Sequence, residues 1–131
     1  AQIGAEDVLL LMADSTGAVR PGSTPSESIV ENAFEDIFRS APGRVIITTF
    51  ASLLARIQQI INVAAELHRV VTVTGYSMKQ YVRIAQELNY LDIPAGVLVD
   101  VKEIGRYPDN QVIIITTGSQ GQPEAALARM A

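Results

Sequence analysis

Four short apolar runs recur along the chain and predict the strands of a parallel sheet. They are Val8 to Met12, Val45 to Phe50, Val70 to Thr74 and Val112 to Thr116. Their apolar residues are continuous rather than alternating, which is typical of strands covered on both faces. A shorter run at Val97 to Val99 predicts an additional strand.

Amphipathic helical patterns separate these runs. The first begins at Thr24-Pro25-Ser26-Glu27, a capping box with proline at the first helical position, and ends before Pro42-Gly43. The second follows Ser52 and the third begins at Ser77, and each serine is expected to be an N-cap. Strands that alternate with helices of this length predict an α/β fold. We expect an open, mostly parallel sheet of about four to five strands with helices on both faces.

The length of 131 residues suits a single domain spanning residues 1–131. A second capping box at Asp100 and Glu103 predicts a short helix that ends near Arg106. Neither end of the chain carries a clear boundary signal. At the start, Ala1 to Asp7 leads almost at once into a predicted strand, and at the end the helical pattern at Ala125 to Ala131 has no stop residue. We therefore expect a piece of a larger protein, with an ordinary C-terminal helix as the alternative.

The chain has few of the side chains that hydrolytic reactions and metal binding require. It has no cysteine, so it can form no disulfide and no thiolate metal site, and His68 is the single histidine. No apolar run approaches the about 20 residues of a membrane span, so we expect a cytoplasmic protein without membrane contact. The net charge of −4 argues against strong nucleic-acid binding by the chain alone.

The loops that follow the predicted strands are rich in hydroxyl residues and glycine. They read Asp14-Ser15-Thr16-Gly17, Thr48-Thr49-Phe50-Ala51-Ser52, Thr74-Gly75-Tyr76-Ser77 and Thr116-Thr117-Gly118-Ser119-Gln120-Gly121. Ligands of parallel sheets bind at the carboxyl ends of the strands, and helix N-termini there favour anions such as phosphate. Helix caps and tight turns explain the same residues equally simply. The last loop matches neither the dinucleotide nor the P-loop pattern.

Single residues near these loops suggest individual roles. Asp14 is a carboxylate at a predicted strand end, where it is a functional acid or a turn residue. Arg56 lies one helical turn after Ser52 and can reach a ligand above the sheet or form a surface ion pair. Tyr76 can stack on a base. Arg20 and Lys79 are the other basic residues nearby.

The order of these motifs resembles the β-CASP domain of ribonuclease J. The resemblance rests on Ala13-Asp14-Ser15-Thr16, Arg20-Pro21-Gly22-Ser23-Thr24-Pro25-Ser26-Glu27, Thr49-Phe50-Ala51-Ser52, Gly75-Tyr76-Ser77-Met78 and Thr117-Gly118-Ser119-Gln120-Gly121. It covers essentially the whole chain. It differs from the family's commonest pattern at Tyr76, where an arginine is usual, and this favours base or sugar stacking over a phosphate contact there.

The resemblance implies the fold and function of the parent protein. Ribonuclease J proteins are metal-dependent 5′-to-3′ exo- and endoribonucleases of the metallo-β-lactamase superfamily that act in RNA processing and decay. Their β-CASP domain is inserted into a metallo-β-lactamase domain, which carries two zinc ions, or manganese. By resemblance, the partners are RNA and that second domain, the parent is a homo-oligomer, and this chain alone is inactive, with no cofactor and no metal ligand.

The resemblance also assigns expected roles to residues. Asp14 would support the metal site of the parent from outside its ligand shell. RNA or phosphate contacts would come from Ser15, Phe50, Ser52, Arg56, Tyr76, Ser77, Gly118, Ser119, Gln120 and Gly121. The alternative functions are a free-standing nucleotide- or phosphate-binding α/β module and a purely structural interaction domain.

Overall fold

The computed structural model describes residues 9–10, 12, 14–23, 26, 28–118 and 127. The described part contains three α-helices, α1 (Ser28–Ser40), α2 (Leu54–Glu66) and α3 (Tyr76–Glu87). It also contains three strands, β1 (Val45–Thr48), β2 (Val70–Val73) and β3 (Val112–Thr116). Two 3-10 helices, Ile104–Arg106 and Asp109–Gln111, precede β3. The α/β fold predicted from the sequence is confirmed.

The strands form a parallel sheet in the order β1-β3-β2. Ile113 in the central strand pairs with Val45 on one side and with Val71 on the other. Beyond β2, Val71 also forms a parallel bridge with Leu98. The predicted additional strand at 97–99 is therefore present as a single bridge on the outer edge of β2.

One face of the sheet carries the main core, to which all three described helices contribute. Val71, Ile113 and Ile115 of the sheet share this cluster with buried side chains of the helices: Phe34, Phe38, Ile57, Ile60, Ile61, Val63, Ala64, Met78, Val82 and Ala85. The chain moves from β1 to β2 and on to residues 97–99 in one direction across the sheet. Right-handed crossovers therefore place α2 and α3 on the same face.

The opposite face is covered by the segment that returns to the central strand. Val70, Val112 and Ile114 pack there against residues of this segment, Val99, Ile104 and Tyr107. The helix predicted to end near Arg106 is thus a 3-10 helix ending at that residue. Within the described residues the α-helices lie on one face, and short 3-10 turns take their place on the other.

Only some of the apolar residues of α1 are packed against the core. Phe34 and Phe38 are buried and their rings stack at 5.5 Å, whereas Ile29, Ala33 and Ile37 are exposed. Helix α1 ends at Ser40, before Pro42-Gly43 as predicted. The Thr24, Pro25 and Glu27 positions of its predicted capping box lie outside the described residues.

The run predicted as the first strand is not a strand where it is described. Leu9, Leu10 and Met12 are exposed and lie outside the sheet, and Val8 and Leu11 are not among the described residues. A continuous apolar run predicts that its residues are buried. It does not show that a second strand lies beside it, and an extended segment is stable only when it pairs with such a strand. The predicted C-terminal helix also lies outside the described residues, except for Leu127.

Candidate functional site

The carboxyl ends of the three strands meet in one polar edge. Thr48 pairs with Thr116, and the Thr49 N–H donates to the Thr116 carbonyl at 3.1 Å. The Thr74 hydroxyl donates to the Thr116 hydroxyl at 2.9 Å. Thr49 and Thr116 are buried. These threonines therefore fix the strand ends, and the loops beyond them form the accessible surface, called here the carboxyl edge.

The loop after β1 presents an aromatic ring and a hydroxyl group at the carboxyl edge. Phe50 is 53% exposed, and Ser52 is exposed as well. The prediction that Ser52 is the N-cap of α2 is wrong, because the cap is Leu53, without a side-chain cap bond. The loop makes an extra turn in which the Leu53 N–H donates to the Phe50 carbonyl at 3.1 Å, and this delays the helix by one residue.

Arg56, in the first turn of α2, is held against α1. Its guanidinium carbon lies 5.9 Å from the ring centre of Phe34, within the range of a cation–π contact. The side chain is only half-buried. The contact with α1 restricts its rotamers, so Arg56 combines a packing role with a partly accessible charge.

The loop after β2 depends on a glycine. Gly75 has φ 91° and ψ 139°, a conformation that side-chain-bearing residues rarely adopt, and it caps α3 directly. The helix therefore begins at Tyr76, one residue earlier than predicted, and the prediction that Ser77 is its N-cap is wrong. Ser77 lies in the first turn and is exposed.

Tyr76 projects from the first turn of α3. It is 80% exposed, and its hydroxyl oxygen accepts a hydrogen bond from the Gln80 amide nitrogen at 3.0 Å. That bond limits the positions of the ring while its faces stay open. Such a ring is suited to stacking on a planar group.

The loop after β3 is described only at its start. Gly118 has φ 122°, so it also needs the freedom of glycine. The Thr117 carbonyl accepts a hydrogen bond from the Leu127 N–H at 3.2 Å, which brings residue 127 close to the end of β3. Ser119, Gln120 and Gly121 lie outside the described residues.

Asp14 forms a local turn with Thr16. Its Oδ1 accepts hydrogen bonds from the Thr16 N–H at 2.8 Å and from the Thr16 hydroxyl at 2.7 Å. These bonds, the hydroxyl first, hold the pKa of the Asp14 carboxyl below its usual range. Asp14 and Ser15 are exposed, and none of the hydrogen bonds between described residues joins them to the carboxyl edge.

A groove on the outer side of β2 contains polar residues that the sequence did not single out. It has a volume of about 310 Å³ and is lined by Thr72, Val73, Lys79, Val82, Arg83, Gln86 and residues 98–101. The groove lies between β2 and residues 97–99. The chain leaves β2 toward α3 on one face of the sheet, and it leaves residue 99 toward the opposite face. Such a switch in direction is the usual ligand position in open α/β sheets.

Metal ligands are not grouped in the described part of the chain, which holds no cluster of three or more His, Asp or Glu side chains. His68 is exposed and lies two residues before Val70, the first residue of β2, at the amino ends of the strands. None of the described helices is long and apolar enough to cross a membrane.

The parallel sheet and its crossover helices define an open α/β domain, a fold in which ligands usually bind at the carboxyl ends of the strands. Residues 42–131 match the family described as "Ribonuclease J, beta-CASP domain", and the chain belongs to this family. Over all of its 131 residues it is 44% identical to Ribonuclease J of Helicobacter pylori (strain J99 / ATCC 700824). It is likewise 44% identical to Ribonuclease J 2 of Staphylococcus epidermidis (strain ATCC 12228 / FDA PCI 1200) and 43% identical to that of Staphylococcus aureus (strain NCTC 8325 / PS 47).

The chain spans only a part of these relatives. It covers 19% of the Helicobacter protein and 24% of each Staphylococcus protein. The family match begins at residue 42, so it includes the three described strands, α2 and α3, while Asp14 and Ser15 precede it.

Proposed function

We propose that the chain is the RNA-clamping β-CASP domain of a ribonuclease J-like, metal-dependent 5′-to-3′ exo- and endoribonuclease that acts in RNA processing and decay. The observation that carries the proposal is the family match over residues 42–131, which contains the loops after β1, β2 and β3. A cytoplasmic, homo-oligomeric parent with a metallo-β-lactamase domain belongs to the same proposal.

The carboxyl edge offers single-stranded RNA stacking surfaces and hydrogen-bonding groups. Phe50 and Tyr76 are exposed aromatic side chains in the loops after β1 and β2. The faces of aromatic rings bind unpaired bases with little dependence on sequence. Ser52 and Ser77 place hydroxyl groups beside these rings, and backbone N–H groups in the first turn of α3 favour a phosphate.

The metal ions of the parent would be held elsewhere in the protein. The described residues hold no cluster of ligands that fits an ion, so no step of the reaction is assigned to this chain. Asp14 remains a proposed supporting residue. Its hydrogen bonds with Thr16 favour the ionised form, in which it could orient a metal ligand of the second domain.

RNA affinity of the full-length parent tests this proposal through Tyr76→Ala. Tyr90→Ala is a matched control, because Tyr90 is also exposed, at 72%, but follows the far end of α3. Loss of one stacked base should weaken binding of a 5′-monophosphorylated oligoribonucleotide by about five- to a hundredfold. Fluorescence anisotropy measures this, and equal effects of the two variants would count against RNA binding at the carboxyl edge.

Catalytic inactivity of the chain alone is a separate expectation. The purified chain should not cleave 5′-monophosphorylated RNA in the presence of Zn²⁺ or Mn²⁺. Cleavage that follows the chain through successive purification steps would contradict the assignment of the metal site to another domain.

The groove beside β2 favours a second candidate function, nucleotide binding by the chain itself. Its volume of about 310 Å³ is near the lower limit for small-ligand sites, and Lys79 and Arg83 place two cations in its lining. Calorimetry with nucleoside monophosphates tests this function. Tight binding that Lys79→Gln weakens would support nucleotide binding. If no heat of binding is measured, RNA clamping remains the only proposed function.

A further inference from the structure

Arg69 is a buried cation that lacks a carboxylate partner within the described residues. It lies between α2 and β2 and is only 7% exposed. Its Nη2 donates to the Ala41 carbonyl at 3.1 Å. Its Nη1 is enclosed and has no hydrogen-bond partner in the described part of the chain. None of the ion pairs between described residues includes Arg69.

The buried guanidinium of Arg69 needs a further hydrogen-bond acceptor. A guanidinium stays protonated at physiological pH, and removing it from water is costly unless its charge and its N–H groups are satisfied. Burial lowers the pKa of Arg69, which reflects the same cost. The Ala41 carbonyl and the nearby C-terminal end of α1 compensate part of the charge. One side of the guanidinium remains without an acceptor.

A cavity lies beside Arg69, and a small rotation of the enclosed guanidinium would bring Nη1 to an acceptor bound there. It has a volume of about 240 Å³ and is lined by Phe38, Arg39, Leu67, Arg69, Asn110 and Gln111. The lining contains two guanidinium groups and two amides that can donate hydrogen bonds, and it contains no carboxylate. Arg39 is also paired with Glu35 at 2.6 Å, so its charge is partly neutralised.

We propose that this cavity binds a small oxyanion, with Arg69 as the central ligand and the amides of Asn110 and Gln111 as further donors. The chemistry is that of a phosphate group, supplied as inorganic phosphate or as the phosphate monoester of a nucleotide. Arg69 precedes β2, and Asn110 and Gln111 precede β3. The site therefore lies at the amino edge of the sheet, roughly 15 Å of strand from the carboxyl edge, and is independent of the proposed RNA contacts.

Binding is tested by titrating the chain with sodium phosphate, against sodium chloride at the same ionic strength and pH. Two-dimensional NMR follows the Arg69 Nε–H signal and the side-chain amide signals of Asn110 and Gln111. We expect saturable shifts of these signals with phosphate and none with chloride. A nucleoside monophosphate in a parallel titration identifies the source. Shifts of the same signals by the nucleotide indicate a phosphate monoester, and shifts with inorganic phosphate alone indicate the free ion.

Variants separate the site from a general salt effect without removing the buried residue. Arg39→Gln should weaken phosphate binding about three- to fivefold, because it removes the second cation of the lining. Arg44→Gln is the control, since Arg44 is a nearby exposed cation that pairs with Asp109 at 2.9 Å and does not line the cavity. Unshifted signals at high phosphate, or equal effects of the two variants, would overturn the proposal.

Discussion

Thr72→Val is expected to make the protein more stable. Thr72 is 1% exposed, and its hydroxyl oxygen is enclosed and lacks a hydrogen-bond partner within the described residues. An unsatisfied buried polar group costs about 1–3 kcal/mol. Valine has nearly the same shape and the same β-branch, so the backbone and packing of β2 should be kept. We expect the free energy of unfolding to rise by about 1–2 kcal/mol.

Thr116→Val is the matched control with the opposite sign. It is the same substitution in the neighbouring strand, at a residue that is 0% exposed. Here the hydroxyl is used, because it accepts the hydrogen bond from the Thr74 hydroxyl at 2.9 Å. Removing it leaves Thr74 without that acceptor, which should lower the free energy of unfolding by about 0.5–1.5 kcal/mol.

Urea unfolding of both variants measures the difference. The transition midpoints should move in opposite directions with an unchanged m-value, since the surface exposed on unfolding hardly changes. In thermal unfolding, Thr72→Val should raise the Tm by about 3–5 °C per kcal/mol. The reasoning is refuted if Thr72→Val lowers the midpoint as Thr116→Val does, because the Thr72 hydroxyl would then have an acceptor.

Three further predictions follow from local geometry. Gly75→Ala should destabilise the protein by about 1–3 kcal/mol in urea unfolding, because φ 91° strains any side-chain-bearing residue, and an unchanged midpoint would show that the turn can relax. Phe38→Ala should cost about 3–5 kcal/mol since Phe38 is 0% exposed, whereas Ile37→Ala, at a residue 49% exposed, should cost far less; similar losses would mean that the exposed side of α1 is covered in solution. The folded-state pKa of Asp14 is depressed, so the stabilisation from its turn is present at neutral pH and is lost as the pH falls through that pKa, below 3.8. Thr16→Val removes the hydroxyl donor and should raise the Asp14 pKa in an NMR titration, and an unchanged value would assign the shift to the backbone bond alone.

Sequence patterns predicted the strands best where burial is complete. β3 has the predicted bounds, because its five residues are all buried and polar residues flank them. β1 and β2 end at Thr48 and Val73, somewhat earlier than predicted, although the Thr49 and Thr74 N–H groups still donate hydrogen bonds to carbonyls of β3. Ser119, Gln120 and Gly121 stay predictions.

Helix starts and apolar stripes were predicted less well. Ser52 and Ser77 are good capping residues by type, but Leu53 and Gly75 hold the cap positions because the preceding turns decide where the helix begins. Residue type alone does not show the turn. In α3, Tyr81 is 48% exposed although Met78, one turn earlier, is fully buried, so helical spacing alone does not show how far each apolar residue is covered.

The groove beside β2 could not be located from residue types. It exists because the chain leaves β2 toward one face and leaves residue 99 toward the other, and this direction follows from strand order. That β3 lies between β1 and β2 could not be predicted from the sequence. Arg83 and Gln86 lie one turn apart on α3, but Asp100 joins them only through this topology, so the sequence gives no signal of the groove.

The charges of the chain explain why a clamp at the carboxyl edge would need a second domain. The described loop residues 48–52, 74–77 and 116–118 contain no charged side chain, and the chain carries a net charge of −4. Affinity for single-stranded RNA grows through neutralised phosphates, and the logarithm of the binding constant falls by about 0.7 per phosphate contact for each tenfold rise in salt. Arg56 and Lys79, in the first turns of α2 and α3, are the described cations next to these loops, so the chain's own contribution should show a slope of at most about two contacts. A much steeper slope in the full-length parent would then assign most phosphate contacts to the other domain, and leave stacking on Phe50 and Tyr76 as the part that this chain supplies.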